Sequence, residues 1–224
     1  MRLKNYFGLF LVVALAGTSC ISPPENFPST PAITFSDIEY VATPGLDSLI
    51  ISVKFQDAEG DLGLSPTDIN PPYNPLNYKR DAAGNLITYS KRPAGAPSYN
   101  PIDWVIDPII NNTVIKDTVW VEQNENQYNI FVKFFIKRNG RFTEFRWQNP
   151  PFYTTFNGRF PRVLNTEEGQ PVEGTIDYKM LSSGWESIFR NDTIRIDVSI
   201  QDRALNRSNE VSSPEVTLRT ITRK

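Results

Sequence analysis

Leu49-Ile50-Ile51-Ser52-Val53-Lys54-Phe55-Gln56 is the stretch whose reading decides the fold. Leu49, Ile51, Val53 and Phe55 alternate with Ser52, Lys54 and Gln56, the period-2 pattern of a strand with one buried face. Ile194, Ile196, Val198 and Ile200 alternate in the same way with Arg195, Asp197, Ser199 and Gln201. Between these two lies a longer apolar strand, Tyr128 to Lys137, which carries Lys133 and Lys137 on one face with Asn129, Phe131 and Phe135. It ends at Asn139-Gly140, a dipeptide that accepts positive φ at both turn positions, so a hairpin returns through Phe142 to Trp147. Weaker strands cover 33–41, 172–179 and 211–220. Helical periodicity is nearly absent, and 183–189 reads as a single turn. With 18 prolines and 12 glycines, the chain has turn signals enough to separate many short strands.

These elements predict an all-β fold, specifically an immunoglobulin-like antiparallel β-sandwich over residues 32–224. In that scheme the strands are A (33–41), B (48–57), C (127–138), C′ (141–147), E (172–179), F (193–202) and G (210–221). Strand D has no signal of its own, and its expected place is near Phe156–Leu164. Residues 62–126 form a long insertion between the second and third core strands, too long for an ordinary connection. Within it, Tyr78 and Leu86–Tyr89 flank Arg80-Asp81-Ala82-Ala83-Gly84-Asn85 as a small hairpin, and Val114–Val121 reads as a further strand. A long ordered loop can be a binding surface or a cover for an exposed sheet edge, and both readings stay open.

The N-terminal segment reads as an export signal. Arg2 and Lys4 precede an uncharged apolar run from Tyr6 to Ala16, then Gly17-Thr18-Ser19 and the only cysteine, Cys20. The run is shorter than the roughly 20 residues a membrane span requires. A cysteine at that position looks like the acylated first residue of a mature bacterial lipoprotein. The expected organisation is a signal peptide at 1–19, a lipid anchor on Cys20 with a Pro-rich tether over 20–31, and the sandwich. Pro23, Pro24, Pro28 and Pro31 favour an extended spacer of roughly 30 Å.

Composition narrows the chemistry. The net charge is −2, and loss of Arg2 and Lys4 with the signal leaves −4, so no basic footprint for nucleic acid exists. The chain has no histidine, which removes the Ser-His-Asp triad, the Cys-His dyad and histidine-ligated metal sites. With Cys20 acylated, cysteine chemistry goes too.

Two acidic turns remain. Phe55-Gln56-Asp57-Ala58-Glu59-Gly60-Asp61-Leu62-Gly63-Leu64 places oxygen side chains at i, i+2 and i+4 around a glycine, the raw material of a calcium loop. It lacks the distant bidentate Glu of an EF-hand. Asp202-Arg203-Ala204-Leu205-Asn206-Arg207-Ser208-Asn209 lies at the expected F–G turn. In an immunoglobulin-like sandwich the B–C and F–G loops share one end, so Asp57, Glu59, Asp61, Asp202 and Asn206 are the candidate Ca²⁺ ligands. Ordinary turns use the same residue types, which leaves plain turn chemistry open.

Those two turns, with Asn191-Asp192-Thr193-Ile194-Arg195-Ile196, resemble uncharacterised lipoproteins of the Bacteroidetes phylum through most of the mature chain. The Asp-x-Ala-x-Asn-x-Ser pattern of Asp202 to Ser208 is similar to the last hairpin of many bacterial immunoglobulin-like domains. The first resemblance implies a location and no activity. Surface lipoproteins of that phylum often carry an acidic run after the anchoring cysteine. Only Glu25 stands here, which implies an outer-membrane anchor facing the periplasm. Asp47-Ser48-Leu49, Asp117-Thr118-Val119 and Asp192-Thr193-Ile194 match the phylum's O-glycosylation triplet, but at least two of them also open strands.

The expectation is a non-catalytic, lipid-anchored (palmitate-bearing) binding or scaffold module of the cell envelope, touching the membrane through its lipid and associating with an outer-membrane protein. A glycan-binding surface lipoprotein is the alternative, with Trp104, Trp120, Trp147 and Trp185 and with Tyr73, Tyr78 and Tyr99 as stacking faces, although such aromatics usually fill cores. A carboxylate-based hydrolase comes third, because nothing in the sequence supplies a positioned base.

Overall fold

A computed structural model of the chain describes residues 27–164 and 169–223. The signal segment 1–19, Cys20 and most of the tether lie outside the described residues. The described chain is mainly antiparallel strand: β1 (Ala32–Val41), β2 (Asp47–Asp57), β3 (Leu76–Tyr78), β4 (Trp104–Ile106), β5 (Ile109–Ile110), β6 (Thr113–Val114), β7 (Thr118–Gln123), β8 (Ile130–Arg138), β9 (Arg141–Phe145), β10 (Val172–Ser182), β11 (Ile194–Ile200) and β12 (Val211–Ser212). One short helix, α1 (Trp185–Phe189), joins β10 to β11. No helix among the described residues is long and apolar enough to cross a membrane.

Two sheets carry the core. One has the order β1-β2-β10, the other β12-β11-β8-β9. The alternation in β2 puts Leu49, Ile51, Val53 and Phe55 inward, and β11 contributes Ile194, Ile196, Val198 and Ile200 to the same cluster. Ile130, Val132, Phe134 and Ile136 of β8 complete it. Each such side chain contributes about 1.5–3 kcal/mol by leaving water. Helix α1 caps the cluster with Trp185 and Phe189, and the Phe134 ring stacks on Phe189 with centroids 5.8 Å apart.

Departures from the sequence reading have local causes. The last strand is only two residues long, because Pro214 has no N–H and serine hydroxyls take over the pairing. Ser213 Oγ accepts from the Ile196 amide at 2.9 Å and Ser208 Oγ from the Ile200 amide at 3.0 Å. The strand expected from 127 begins at Ile130, since Asn124 caps a 3-10 turn over Glu125–Gln127. The predicted strand 114–121 is split into β6 and β7 by a turn in which the Asp117 amide donates to the Ile115 carbonyl. No regular strand D forms in 156–164; its role falls to single contacts, such as the Ile130–Gly158 bridge.

The insertion has its own core. Strands β3-β7-β4 form a small sheet, and Trp104, Val119 and Val121 are buried in it. The expected hairpin at 80–85 is present, closed by the Arg80–Leu86 bridge. Arg159 ties the insertion down: its guanidinium donates to the carbonyls of Ser65, Asp68, Tyr73 and Gln127.

Candidate metal centre

The inward stripe of β2 does not stop at Phe55. The next inward position is Asp57, wholly buried at the end of the strand. Past the end of β11, the same two-residue step leads from Ile200 to Asp202, 3% exposed. The two turns then meet: Leu62 and Asp202 form an antiparallel bridge, and the Arg203 amide donates to the Asp61 carbonyl at 3.3 Å. Asp57, Asp61 and Asp202 thereby bring one carboxylate oxygen each to within 4.8 Å of one another, all in buried positions.

Glycines shape the first turn. Gly60 and Gly63 hold φ of +65° and +95°. A Cβ on Gly63 would stand 2.2 Å from the Pro161 carbonyl oxygen, so no other residue fits without moving backbone.

The hydrogen bonds satisfy only part of the cluster. Asp57 Oδ2 accepts from the Asp61 amide at 3.2 Å, and Asp61 Oδ2 from the Ala204 amide at 3.1 Å. Asp202 is the best satisfied, accepting from the Asn206 amide at 2.7 Å and the Asn206 side-chain nitrogen at 2.9 Å. Asp57 Oδ1 and Asp61 Oδ1 are buried without a donor. Leaving such an oxygen unpaired costs about 1–3 kcal/mol, and more when it is charged.

The electrostatics follow. Burial pushes the Asp57 carboxyl up to about 6, and the Asp61 charge adds to it. Asp61 is raised by burial and by Asp202, against pulls from the Ala204 amide and the Arg203 charge. Burial raises Asp202 too, and its bonds from Asn206 hold it back. Three carboxylates in this arrangement repel one another at neutral pH unless a proton or a cation intervenes.

Of the five expected ligands, the structure gathers three. Glu59 is exposed, and its carbonyl accepts from the Gly169 amide at 2.6 Å. Asn206 meets the cluster as a donor to Asp202. The aromatic residues are distributed differently from what a stacking surface needs. Trp104, Trp147 and Trp185 are 2%, 5% and 0% exposed, which leaves half-buried Tyr73, Tyr78 and Trp120 and exposed Tyr99 as the remaining faces. Arg159 was not singled out by sequence reasoning, and no local pattern around it announces its four-carbonyl role.

The ligand set fits a hard divalent cation. All donors are oxygens, and two oxygens on one Ca²⁺ stand at most about 5 Å apart given bond lengths of 2.3–2.6 Å. The free oxygens of Asp57 and Asp61 are what such an ion would take up. No family model matches the chain, and no curated protein or solved structure matches it significantly.

Proposed function

We propose that this chain is a non-catalytic, lipid-anchored binding module of the bacterial cell envelope, an immunoglobulin-like sandwich pinned at one end by calcium. The observation that carries the reading is the pair of buried, donorless carboxylate oxygens on Asp57 and Asp61, in a cluster where these two residues and Asp202 bring one carboxylate oxygen each to within 4.8 Å. The three carboxylates would hold the ion, and the ion would neutralise charge that Arg203 offsets only in part. Within the proposal the ion's role is structural, because its three carboxylates come from two turns that it would hold together. It joins the β2 turn to the β11 turn and stiffens the base from which the insertion projects.

The sandwich assignment is supported by strand order. The arrangement β1-β2-β10 facing β12-β11-β8-β9 corresponds to A-B-E facing G-F-C-C′. The anchor reading rests on Cys20 and the apolar run before it. Within the proposal, the insertion is the contact surface for an outer-membrane partner, with the anchor placing the domain on the periplasmic side.

Two measurements test this. Calorimetry of cation-stripped protein titrated with Ca²⁺ should show one site per chain; no heat and no rise in melting temperature sinks the metal centre. Cross-linking in intact cells, followed by purification through a C-terminal tag, should capture one stoichiometric envelope protein. Turnover of a substrate by the purified chain would overturn the non-catalytic reading.

A further inference from the structure

The described chain enters the sandwich beside the acidic turn. The Ala58 amide donates to the Pro28 carbonyl at 3.0 Å, and Ala32 pairs with Gln56 near the end of β2. The insertion hangs from that same end. It leaves after the turn that follows β2 and returns into β8, whose first residue Ile130 pairs with Ile200, two residues before Asp202. The turn holding Leu46, between β1 and β2, lies at the opposite end.

Chain length then restricts the geometry. Eight residue steps lead from Cys20 to Pro28. Fully extended, they reach roughly 29 Å. A compact body of about 65 residues has a radius of gyration of about 11 Å and a diameter of about 28 Å. If Cys20 sits in a bilayer, the insertion is as large as the gap it must occupy.

Exposed apolar side chains are concentrated on this body. Among the described residues nine large hydrophobic side chains are exposed, and five of them, Ile69, Tyr99, Ile106, Ile109 and Val114, belong to the insertion. Ile109 and Val114 are direct cross-strand partners, so they share one face of the β5–β6 hairpin, at 70% and 44% exposure. That hairpin is a separate two-stranded sheet, turned by Asn111 and Asn112 at φ of 49° and 60°. Its flanks carry Asp107, Lys116 and Asp117, which give no net positive charge to draw it toward anionic lipid.

We propose that the β5–β6 hairpin docks into the bilayer that holds the lipid anchor, with Ile109 and Val114 entering the headgroup–acyl boundary. The inference rests on the Cys20 anchor reading. It fixes an orientation, with the insertion against the membrane and the Leu46 end outward. The driving force is apolar burial, so docking should be as good on zwitterionic vesicles as on anionic ones.

Acylation consumes the only native thiol, so one introduced cysteine can be labelled uniquely. Full-length lipidated protein carrying Ile109→Cys, Val114→Cys or, as control, Leu46→Cys would be tagged with an environment-sensitive fluorophore and reconstituted into phosphatidylcholine vesicles. Nitroxide-labelled lipids should quench the probes at 109 and 114 at least twofold more than the probe at 46. Equal quenching at all three sites overturns the proposal and leaves the hairpin to a protein partner. Palmitate labelling of the parent chain against Cys20→Ser separates the two readings. If the parent takes up no acyl chain, the anchor reading fails and this inference falls with it. If it is acylated and the probes at 109 and 114 stay unquenched, this inference fails alone.

Discussion

The Tyr73 hydroxyl donates a 2.5 Å hydrogen bond to the carbonyl of Arg203. The first residue belongs to the insertion and the second to the turn that carries Asp202, so the insertion and the acidic cluster are mechanically joined. Tyr73→Phe removes the donor and keeps the ring. The expected cost is about 1 kcal/mol. It should appear as weaker calcium binding together with faster proteolysis inside 65–126. A variant whose calcium affinity and cleavage pattern match the parent's would show that the two regions act independently.

Calcium should raise the melting temperature of the cation-stripped protein. At a hundredfold excess over the dissociation constant the gain is about 2.7 kcal/mol, or roughly 5–10 °C for a domain of this size. Asp57→Asn should abolish the rise. It should also make the cation-free protein more stable than the parent, because it removes a buried negative charge beside Asp61. A purely structural aspartate would give the opposite sign in the cation-free state, so the two-condition comparison is decisive.

The pH dependence of the cation-free protein has a definite direction. The folded Asp57 carboxyl titrates near 6, above its ordinary value, and Asp61 and Asp202 are displaced the same way. A raised carboxyl favours the protonated folded state. The stabilisation is complete below about pH 4 and is lost as pH rises through about 6. Asp47, Asp68, Asp81 and Asp117 are shifted downward and therefore stay ionised throughout this window. Denaturant midpoints should be lower at pH 7.5 than at pH 5 without calcium, and the calcium-induced gain should grow over the same interval. A flat cation-free profile would contradict the proximity of the three carboxylates.

Gly63→Ala tests the shape of the acidic turn. The new methyl group meets the Pro161 carbonyl at 2.2 Å on a backbone with φ of +95°. The expected loss is at least about 2 kcal/mol, which a melting curve resolves as a drop of several degrees. Gly84→Ala supplies the contrast for packing: φ is +84° and nothing lies within 4 Å, so only the backbone strain should be felt.

Arg159→Lys keeps the charge and loses the fork. A single ammonium cannot reach all four carbonyls that the guanidinium serves. Limited proteolysis should then cut within 65–73 before the sandwich is attacked. Cleavage that begins instead in the 139–140 turn would assign Arg159 no special part in holding the insertion.

The strands of the two core sheets were readable because one face of each is apolar, and a single apolar face writes its period directly into the residues. Leu49 to Phe55 is the clearest instance, and Ile194 to Ile200 keeps the same alternation of residue type although Asp197 and Ser199 on its other face are buried too. Continuing the same count by one step reaches Asp57 and Asp202, so the burial of two cluster members was already implicit in the alternation. Asp61 was found by its spacing, but Glu59 has that spacing too and points outward, because the Gly60 turn separates the two. The end of the last strand was hidden because Ser208 and Ser213 substitute hydroxyls for a backbone partner, and hydroxyl direction has no one-dimensional signature. Asn129 is a further example. Its side-chain amide donates to the Phe160 carbonyl at 2.9 Å and its carbonyl oxygen accepts from the Phe160 amide at 2.8 Å, doing the work of an absent strand. Arg159 could not be found because its acceptors are carbonyls, which every residue possesses.

The acidic cluster is divided between positions 57, 61 and 202, and that separation has a temporal consequence. On the export reading proposed above, a chain threading N-terminus first through a translocation pore would present Asp57 and Asp61 long before Asp202 emerges. Two aspartates without the third make a poor trap for an ion, so metal would have no purchase on a half-exported molecule. Contacts this distant along the chain form late. On the proposed reading, calcium would act as a latch on a finished domain and not as a seed for an unfinished one.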